Sequence, residues 1–149
     1  MELKEKLAAS YVAFENGKDV DSDVHDIRVK ALENFEELGF PTKKLEAWKY
    51  TSLKSVLKQD YSLFPTAETA VELADVKKYF IHDIDTYKIV FIDGKYSSFL
   101  SETTHDTIDV CLMSSALTKA KYKPVIEKYF NKVAKQDNLT SLNTAFANE

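Results

Sequence analysis

Apolar side chains recur at helical spacing in two stretches near the start of the chain. In residues 2–16 and again in residues 24–38, every third or fourth position is apolar. These positions are Leu3, Leu7, Tyr11 and Phe14 in the first stretch, and Val24, Ile27, Ala31, Phe35 and Leu38 in the second. Such a period places one apolar stripe along a helix. The pattern predicts a helix pair whose second member ends at Gly39, because glycine favours helix ends.

The pattern is less regular between the second helix and residue 80. Gly39-Phe40-Pro41-Thr42 is a helix breaker, followed by a threonine that can cap a new helix. Residues 53–57 resume helical spacing, and residues 68–80 carry apolar positions at the same period. We therefore predict that residues 1–80 are mainly helical.

The hydrophobic pattern changes after residue 86. Residues 87–92 are rich in β-branched and aromatic side chains, which is typical of a buried strand. Asp93-Gly94 follows and favours a tight hairpin turn, because glycine accepts the positive φ that such a turn requires. Residues 95–100 then form the predicted returning strand, and the alternation in residues 108–112 predicts a third. We therefore predict a small antiparallel sheet over residues 87–112.

Helical spacing returns in the last third of the chain. Ser114 or Ser115 can cap a helix, Pro124 suits a first helical turn, and we predict helices over residues 114–135. Residues 139–149 also carry apolar side chains at helical spacing. The predicted fold class is α+β: a mainly helical N-terminal domain with a small antiparallel sheet around the Asp93-Gly94 hairpin.

Charge is unevenly distributed along this chain of 149 residues with a formal net charge of -4. Residues 1–40 hold ten acids against five basic residues. Residues 43–58 hold five lysines against Glu46, and residues 119–135 hold six lysines against Glu127. An acidic total argues against general affinity for nucleic acid. We interpret the two lysine-rich stretches as solvated helix faces, which is the commoner role of such charge runs.

Few residues suit catalysis or metal binding. Cys111 is the only cysteine, which fits a reducing cytosol, and its apolar neighbours predict a buried structural thiol. None of the three histidines stands at metal-ligand spacing; they are His25, His82 and His105. There is no glycine-rich phosphate loop, and no apolar run approaches the ~20 residues needed to span a bilayer. We predict that the chain is not an enzyme, holds no cofactor or metal, and does not bind a membrane.

One group mixes aromatic and basic side chains. Trp48 and Tyr50 lie among Lys43, Lys44 and Lys49, and such a group can stack bases and bind phosphates. A nucleic-acid-binding module is therefore the alternative function. The acidic remainder of the chain favours a different interpretation, in which Trp48 is a mostly buried anchor with solvated lysines around it.

The segment from Gly39 to Leu53 closely resembles the signature of the SufB/SufD family, and of its SufD branch in particular. The matching positions are Gly39, Pro41, Thr42, Glu46, Trp48, Lys49, Tyr50 and Thr51. A second block, residues 89–101, resembles the family's hairpin, with Asp93 and Gly94 at its turn. A third block, residues 142–147, is similar to the segment that leads into the family's β-helix.

The resemblance implies a division of labour along the family's chains. A SufD-like protein has a mainly helical N-terminal domain, a right-handed parallel β-helix core and a C-terminal helical segment. The family's residues for cluster chemistry and for the ATPase contact lie in the core and C-terminal parts, so none is carried over to this sequence. We expect residues 1–138 to be the N-terminal domain and residues 139–149 to be a truncated, loosely held lead-in to a β-helix core that is absent here.

The function implied by the resemblance is that of a non-catalytic domain in a scaffold subunit of the SUF iron–sulfur cluster assembly system, acting through protein–protein contacts. The implied partners are SufB and the ATPase SufC, with sulfur-donor proteins as further candidates, in the cytoplasm. The full complex would handle the iron or the iron–sulfur cluster. This agrees with the cysteine count, because a cluster within one chain needs several thiolates. No nucleic-acid partner is expected.

Overall fold

The computed structural model describes residues 2–16, 23–64, 70–103 and 107–147. Within these ranges the elements form seven α-helices, one 3₁₀ helix and one two-stranded sheet. They are α1 (Leu3–Glu15), α2 (Asp23–Leu38), the 3₁₀ helix (Glu46–Trp48), α3 (Lys54–Leu57), α4 (Leu73–Lys77), β1 (Phe91–Ile92), β2 (Lys95–Tyr96), α5 (Met113–Leu117), α6 (Lys123–Tyr129) and α7 (Asn138–Ala145). The predicted α+β, mainly helical fold class is confirmed.

The chain divides into two compact units. The first, here called the helical unit, takes in the described residues of 1–64 and 121–147. The second, here called the hairpin unit, takes in the described residues of 65–120.

The core of the helical unit lies where α1, α2 and α7 meet. Tyr11 of α1, Ala31 of α2 and Ala145 of α7 are buried together, with Phe14 and Phe146 packed against them. The two alanines carry only a methyl group, so α7 packs closely along α2. The aromatic rings add edge contacts: the Phe146 centroid lies 5.7 Å from that of Tyr11 and 5.1 Å from that of Phe14. The helix pair predicted from the hydrophobic period is therefore formed, and a third helix completes its core.

The docking of α7 corrects the expectation that residues 139–149 are loosely held, for those of them that are described. Ser141 and Ala145 are fully buried, and Asp137 caps the helix by accepting from the N–H groups of Leu139 (3.0 Å) and Thr140 (2.9 Å). Leu142 and Phe146 are partly buried in the same helical segment. The expected missing surface is supplied by α2 of the same chain. Residues 148 and 149 lie outside the described residues.

The hairpin unit is built around a short antiparallel pair. Phe91 faces Tyr96 and Ile92 faces Lys95 across β1 and β2. Asp93 and Gly94 form the predicted turn, with φ values of 51° and 81°.

A single bridge extends the pairing of the hairpin beyond the strands. The N–H of Lys88 donates to the Glu102 carbonyl at 3.1 Å, and the N–H of Glu102 donates to the Lys88 carbonyl at 2.8 Å. Ladder bonds therefore reach past the two short strands on both sides of the turn.

The predictions of a third strand and of a long helix in the hairpin unit are wrong. The described part of the sheet has two strands, and residues 108–112 are irregular rather than a third strand. Their alternating pattern has no adjacent strand edge to join in the part of the chain that the structure describes, and Ile108 is 44% exposed. The helix predicted over 68–80 is also shorter: α4 has five residues, and residues 65–69 lie outside the described chain. None of the helices in the described ranges is long and apolar enough to cross a bilayer.

Candidate functional site

The signature segment, residues 39–53, begins where α2 ends. The N–H of Gly39 donates to the Phe35 carbonyl at 2.7 Å, and Gly39 has a φ of 64°. A side chain at this position would meet only the Lys4 side chain, at 3.9 Å. Glycine is therefore favoured here by the left-handed backbone conformation and not by lack of space.

Helix α7 holds the start of the signature segment from the side. The Asn138 side-chain amide donates to the carbonyls of Leu38 (3.2 Å) and Gly39 (2.7 Å). These carbonyls belong to the last turn of α2 and its exit, where helices leave backbone acceptors without a partner. The first residue of α7 is therefore in direct contact with the first residue of the signature segment.

Two residues of the signature segment anchor it to the helical unit. Pro41 is buried, and Phe40 is partly buried with its ring 5.1 Å from that of Phe35 at 81°. Phe35 itself is fully buried. The T-shaped ring pair joins the exit of α2 to its core stripe.

The rest of the signature segment is a series of tight turns. The Thr42 hydroxyl accepts from the N–H of Lys44 at 3.3 Å, and the Thr42 carbonyl accepts from the N–H of Leu45 at 3.0 Å. The 3₁₀ helix that begins at Glu46 follows, and the N–H of Thr51 donates to the Trp48 carbonyl at 2.9 Å. This backbone bonding explains the use of threonine and of short turns at these positions.

The aromatic and basic side chains of the signature segment lie mainly at the surface. Tyr50 is 88% exposed, and the Lys49 ammonium lies 5.4 Å from its ring centroid. Lys49 also lies 3.6 Å from the Glu46 carboxylate. Thr51 is exposed, and Trp48 is partly buried. Trp48 is therefore not one of the core residues shared by α1, α2 and α7.

Asp93 and Gly94, the remaining predicted signature residues, belong to the hairpin unit. Their positive φ values show that these two residues adopt the left-handed backbone conformation that the tight turn requires. The Cβ position of Gly94 has no atom within 4 Å, so glycine is not required there for packing.

A polar cluster between α1 and α2 was missed by the sequence reasoning. The Glu15 carboxylate lies 2.8 Å from Arg28 Nε and 2.5 Å from His25 Nδ1. Glu15 and Arg28 are 8% and 4% exposed. The Arg28 guanidinium also donates to the Ala147 carbonyl at 3.5 Å, beyond the end of α7. A signal was present in the sequence, because Arg28 lies at helical spacing within the apolar stripe of α2.

Tyr11 lies beside this polar cluster. Burial of its phenol, with the nearby Glu15 carboxylate as the second cause, raises the pKa of Tyr11 to about 12. Arg28 acts in the opposite direction but is the weaker influence. The polar cluster therefore joins α1 to α2, and the Tyr11 phenol beside it stays neutral at pH values above the usual pKa of a tyrosine.

A surface cleft of about 480 Å³ lies between the start of α1, Phe40 and α3. It is called the lysine cleft here and is lined by Glu2, Leu3, Lys4, Lys6, Phe40, Lys54, Leu57, Lys58, Gln59 and Asp60. The sequence singled out the lysines of residues 43–58. The structure brings two of them, Lys54 and Lys58, together with Lys4 and Lys6 of α1.

Only Lys123 and Lys128 of the lysines in residues 119–135 belong to a helix, α6, and both are exposed. Lys123 lies 3.8 Å from the Glu127 carboxylate one turn away, and Lys132 donates to the Glu127 carbonyl at 2.8 Å. The Lys128 ammonium lies 5.0 Å from the Tyr129 ring centroid. These are local contacts at an exposed surface, which contribute little individually.

The cysteine and the histidines are the remaining side chains considered for catalysis or metal binding. Cys111 is exposed, so the prediction of a buried thiol is wrong, because residues 108–112 do not enter a sheet. His82 is exposed, and His105 lies outside the described residues. No group of three or more histidine, cysteine, aspartate or glutamate side chains suited to a metal ion occurs in the described ranges.

Comparison with known proteins identifies the family of the chain. A family model described as "SufBD protein N-terminal region" matches residues 13–149. The chain is also 30% identical over 78 residues to the iron-sulfur cluster assembly protein SufD of Escherichia coli (strain K12). That stretch is 49% of this chain and 16% of the relative, so the chain covers a small part of the relative's length. No solved structure matches the chain.

Proposed function

The chain belongs to the SufBD N-terminal family, and from this membership we propose that it is the non-catalytic N-terminal part of a scaffold subunit in iron–sulfur cluster assembly. The observation that carries the proposal is the family match over residues 13–149. The similarity to a relative named as an iron-sulfur cluster assembly protein supports the same role. In this proposal the chain acts by binding other proteins, in the cytoplasm, and not by making or breaking bonds.

The chemistry of the described residues is consistent with a binding role. The most buried ionic group, Glu15 with Arg28 and His25, ties α1 to α2 inside the helical unit. The only thiol, Cys111, could contribute one ligand where a cluster needs several. Iron or an iron–sulfur cluster is therefore treated as cargo of the larger assembly and not as a group bound by this chain.

The proposed partners are SufB and the ATPase SufC, which the family resemblance implies for the longer SufD-like protein, with sulfur-donor proteins as further candidates. The tagged chain, immobilised at low density, is to be tested against purified SufB, SufC and their complex. We expect retention of a SufB-containing complex and no retention of an unrelated acidic protein. Absence of retention for every partner, with the chain shown to be folded by circular dichroism, would contradict the proposed function.

A second measurement tests the non-catalytic part of the proposal. The chain is incubated with iron and sulfide without oxygen, and metal content and visible absorbance are read after desalting. We expect neither stoichiometric iron nor a cluster absorbance band, in the original chain or in the Cys111→Ser variant. A stoichiometric cluster on the monomer that is lost in Cys111→Ser would overturn this part.

The alternative, a nucleic-acid-binding module, has one observation in its favour: the Tyr50 ring is 88% exposed beside Lys49. The partial burial of Trp48 and the net charge of -4 weigh against it. Affinity for a labelled oligothymidine, measured over a range of salt, decides between the two. Tight binding with a steep salt dependence that Tyr50→Ala removes would favour the alternative.

A further inference from the structure

We propose that the lysine cleft is the docking site for an acidic segment of a partner protein that also carries a large apolar side chain. This inference deepens the proposed function and rests on it, since it names the chemistry by which the chain would hold a partner. Its basis is a cleft of about 480 Å³ whose lining contains three apolar side chains, here called its floor, and four lysines against two carboxylates.

The floor of the lysine cleft is apolar. Leu3 of α1, Phe40 of the signature segment and Leu57 of α3 line the cleft, and each is partly buried. Phe40 is held in place by its ring contact with the buried Phe35. This contact fixes Phe40, and the floor offers area that an apolar side chain of a partner can cover.

The two carboxylates of the lysine cleft already have partners. Asp60 lies 2.9 Å from Lys6 Nζ, and this contact holds the pKa of Asp60 below its usual value. Glu2 forms a reciprocal capping box with Glu5 at the start of α1. Among the described residues, neither carboxylate forms an ion pair with Lys4, Lys54 or Lys58.

Three of the four lysines keep an uncompensated charge in the described part of the chain. Lys4 donates to the Glu36 carbonyl, which is a neutral acceptor. Lys54 and Lys58 are exposed, and their ammonium groups make no ion pair or hydrogen bond with a described residue. These two lysines are four residues apart at α3, where like charges on one helix face repel each other. An anionic ligand would relieve that repulsion.

An acidic peptide matches the cleft better than a nucleic acid does. The floor is built from aliphatic side chains and one partly buried ring, and it offers no exposed aromatic face on which bases could stack. Glu2 and Asp60 interrupt the lysines of the cleft, which therefore form no continuous positive track for a phosphate backbone, whereas a short segment can place its carboxylates beside Lys54 and Lys58. A short segment with a few carboxylates and one apolar side chain meets both the charge and the floor.

The test uses labelled peptides and fluorescence anisotropy with the whole chain. The first probe is Glu-Glu-Leu-Phe-Glu-Glu; its controls replace every Glu by Gln, or the Leu-Phe pair by Ser-Ser. We expect the first probe to bind at least about tenfold more tightly than either control, and to weaken as salt is raised. Equal binding of the Gln control would overturn the charge argument, and equal binding of the Ser control would overturn the role of the floor.

Matched lysine variants locate the site. Lys54→Glu/Lys58→Glu reverses the two charges of the cleft, whereas Lys43→Glu/Lys44→Glu reverses two exposed lysines outside it. We expect about tenfold weaker peptide binding for the first variant and less than about twofold change for the second. Equal losses in both variants would contradict the proposal. Amide chemical-shift changes at Phe40 and Leu57 of the unmodified chain supply an independent readout that needs no substitution.

Two further arms separate this inference from its rivals and from the proposed function. Oligothymidine or inorganic phosphate that displaces the peptide at equal concentration would assign the site to a phosphate ligand instead. If Lys54→Glu/Lys58→Glu still retains the SufB-containing complex as well as the unmodified chain does, the cleft proposal fails while the proposed function stands. If the unmodified chain retains no such complex, the proposed function fails whatever the peptide does.

Discussion

The helical unit and the hairpin unit use their apolar side chains differently. The helical unit buries Tyr11, Val24, Ala31, Phe35 and Ala145, together with polar side chains that bond inside it. The hairpin unit buries only Leu100 and Ala116 among its described apolar residues. Its exposed apolar side chains include Tyr79 (77%), Ile81 (65%) and Phe99 (86%).

The difference follows from the length of the elements. Helix α2 has 16 residues and presents a continuous stripe, against which α1 and α7 pack. The strands of the hairpin unit have two residues each and form a single pair, which covers little apolar surface. Hydrophobic content alone therefore does not create a core, because burial requires a second surface of matching length. We expect the helical unit to account for most of the free energy of unfolding.

The largest expected effect tests this contrast with two phenylalanines. Phe35→Ala should lower the free energy of unfolding by about 3–5 kcal/mol, because it removes a fully buried ring from α2. Phe99→Ala in the hairpin unit removes an 86% exposed ring and should change it by less than about 0.5 kcal/mol. Denaturant unfolding followed by circular dichroism measures both. Similar losses in the two variants would break the comparison.

The buried ion pair of the helical unit should be the next most sensitive feature. Arg28→Met leaves the buried Glu15 carboxylate without its arginine partner and with His25 alone, and we expect a loss of about 3 kcal/mol in the free energy of unfolding. Lys123→Met breaks an exposed pair with Glu127 and should cost less than about 1 kcal/mol. The double variant Glu15→Leu/Arg28→Met should recover part of the loss. A double variant less stable than Arg28→Met would contradict this account.

In the hairpin unit, the turn should matter more than any side-chain packing. Gly94→Val places a β-branched residue at a φ of 81° and should destabilise the hairpin by about 1–2 kcal/mol. Gly94→Asn should cost less, because asparagine tolerates this conformation better and its Cβ meets no neighbour. Hydrogen exchange at the amides of Lys88, Ser97 and Glu102 reports the effect. If Gly94→Val and Gly94→Asn accelerate hydrogen exchange equally, the backbone conformation at residue 94 is not the cause of the destabilisation.

Removal of the α7 cap should have a smaller effect on the helical unit. Asp137→Ala should cost about 1 kcal/mol, because two backbone N–H groups lose their acceptor. The backbone N–H of Thr140, followed by its hydroxyl, holds the pKa of Asp137 below its ordinary value of 3.8. The cap is therefore fully effective above pH 3.8 and is lost as pH falls through the lowered pKa. Stability curves of the two proteins should converge in acid; a constant gap would refute the cap.

The smallest effect concerns the ionisation of Tyr11. Burial and then Glu15 raise its pKa to about 12, so the neutral phenol stabilises the fold at pH values below about 10. This contribution is lost as pH rises through about 12. An ultraviolet titration should therefore show a late phase that is missing in Tyr11→Phe. An unchanged titration in that variant would assign the late phase to another of the eight tyrosines.

Local features of the fold could be predicted from the sequence because they depend on neighbouring residues. The helical period predicts α1 and α2, and Asp93-Gly94 predicts the hairpin turn that the structure has. The alternation of residues 108–112 led to a wrong prediction, because alternation indicates a strand only where a sheet edge is present to bond it. The exposure of Cys111 follows from the same missing partner.

The amino-acid sequence by itself determined that α1 and α2 are helical, where the tight turn lies and to which family the signature segment points. Only the tertiary structure decided that α7 closes the core of α2, that Arg28 is buried against Glu15, and that lysines of α1 and α3 share a cleft. The hydrogen bond from the Asn34 side chain to Ser141 joins residues 107 positions apart. Such contacts depend on how complete helices pack against one another, and no local period of the sequence records that packing.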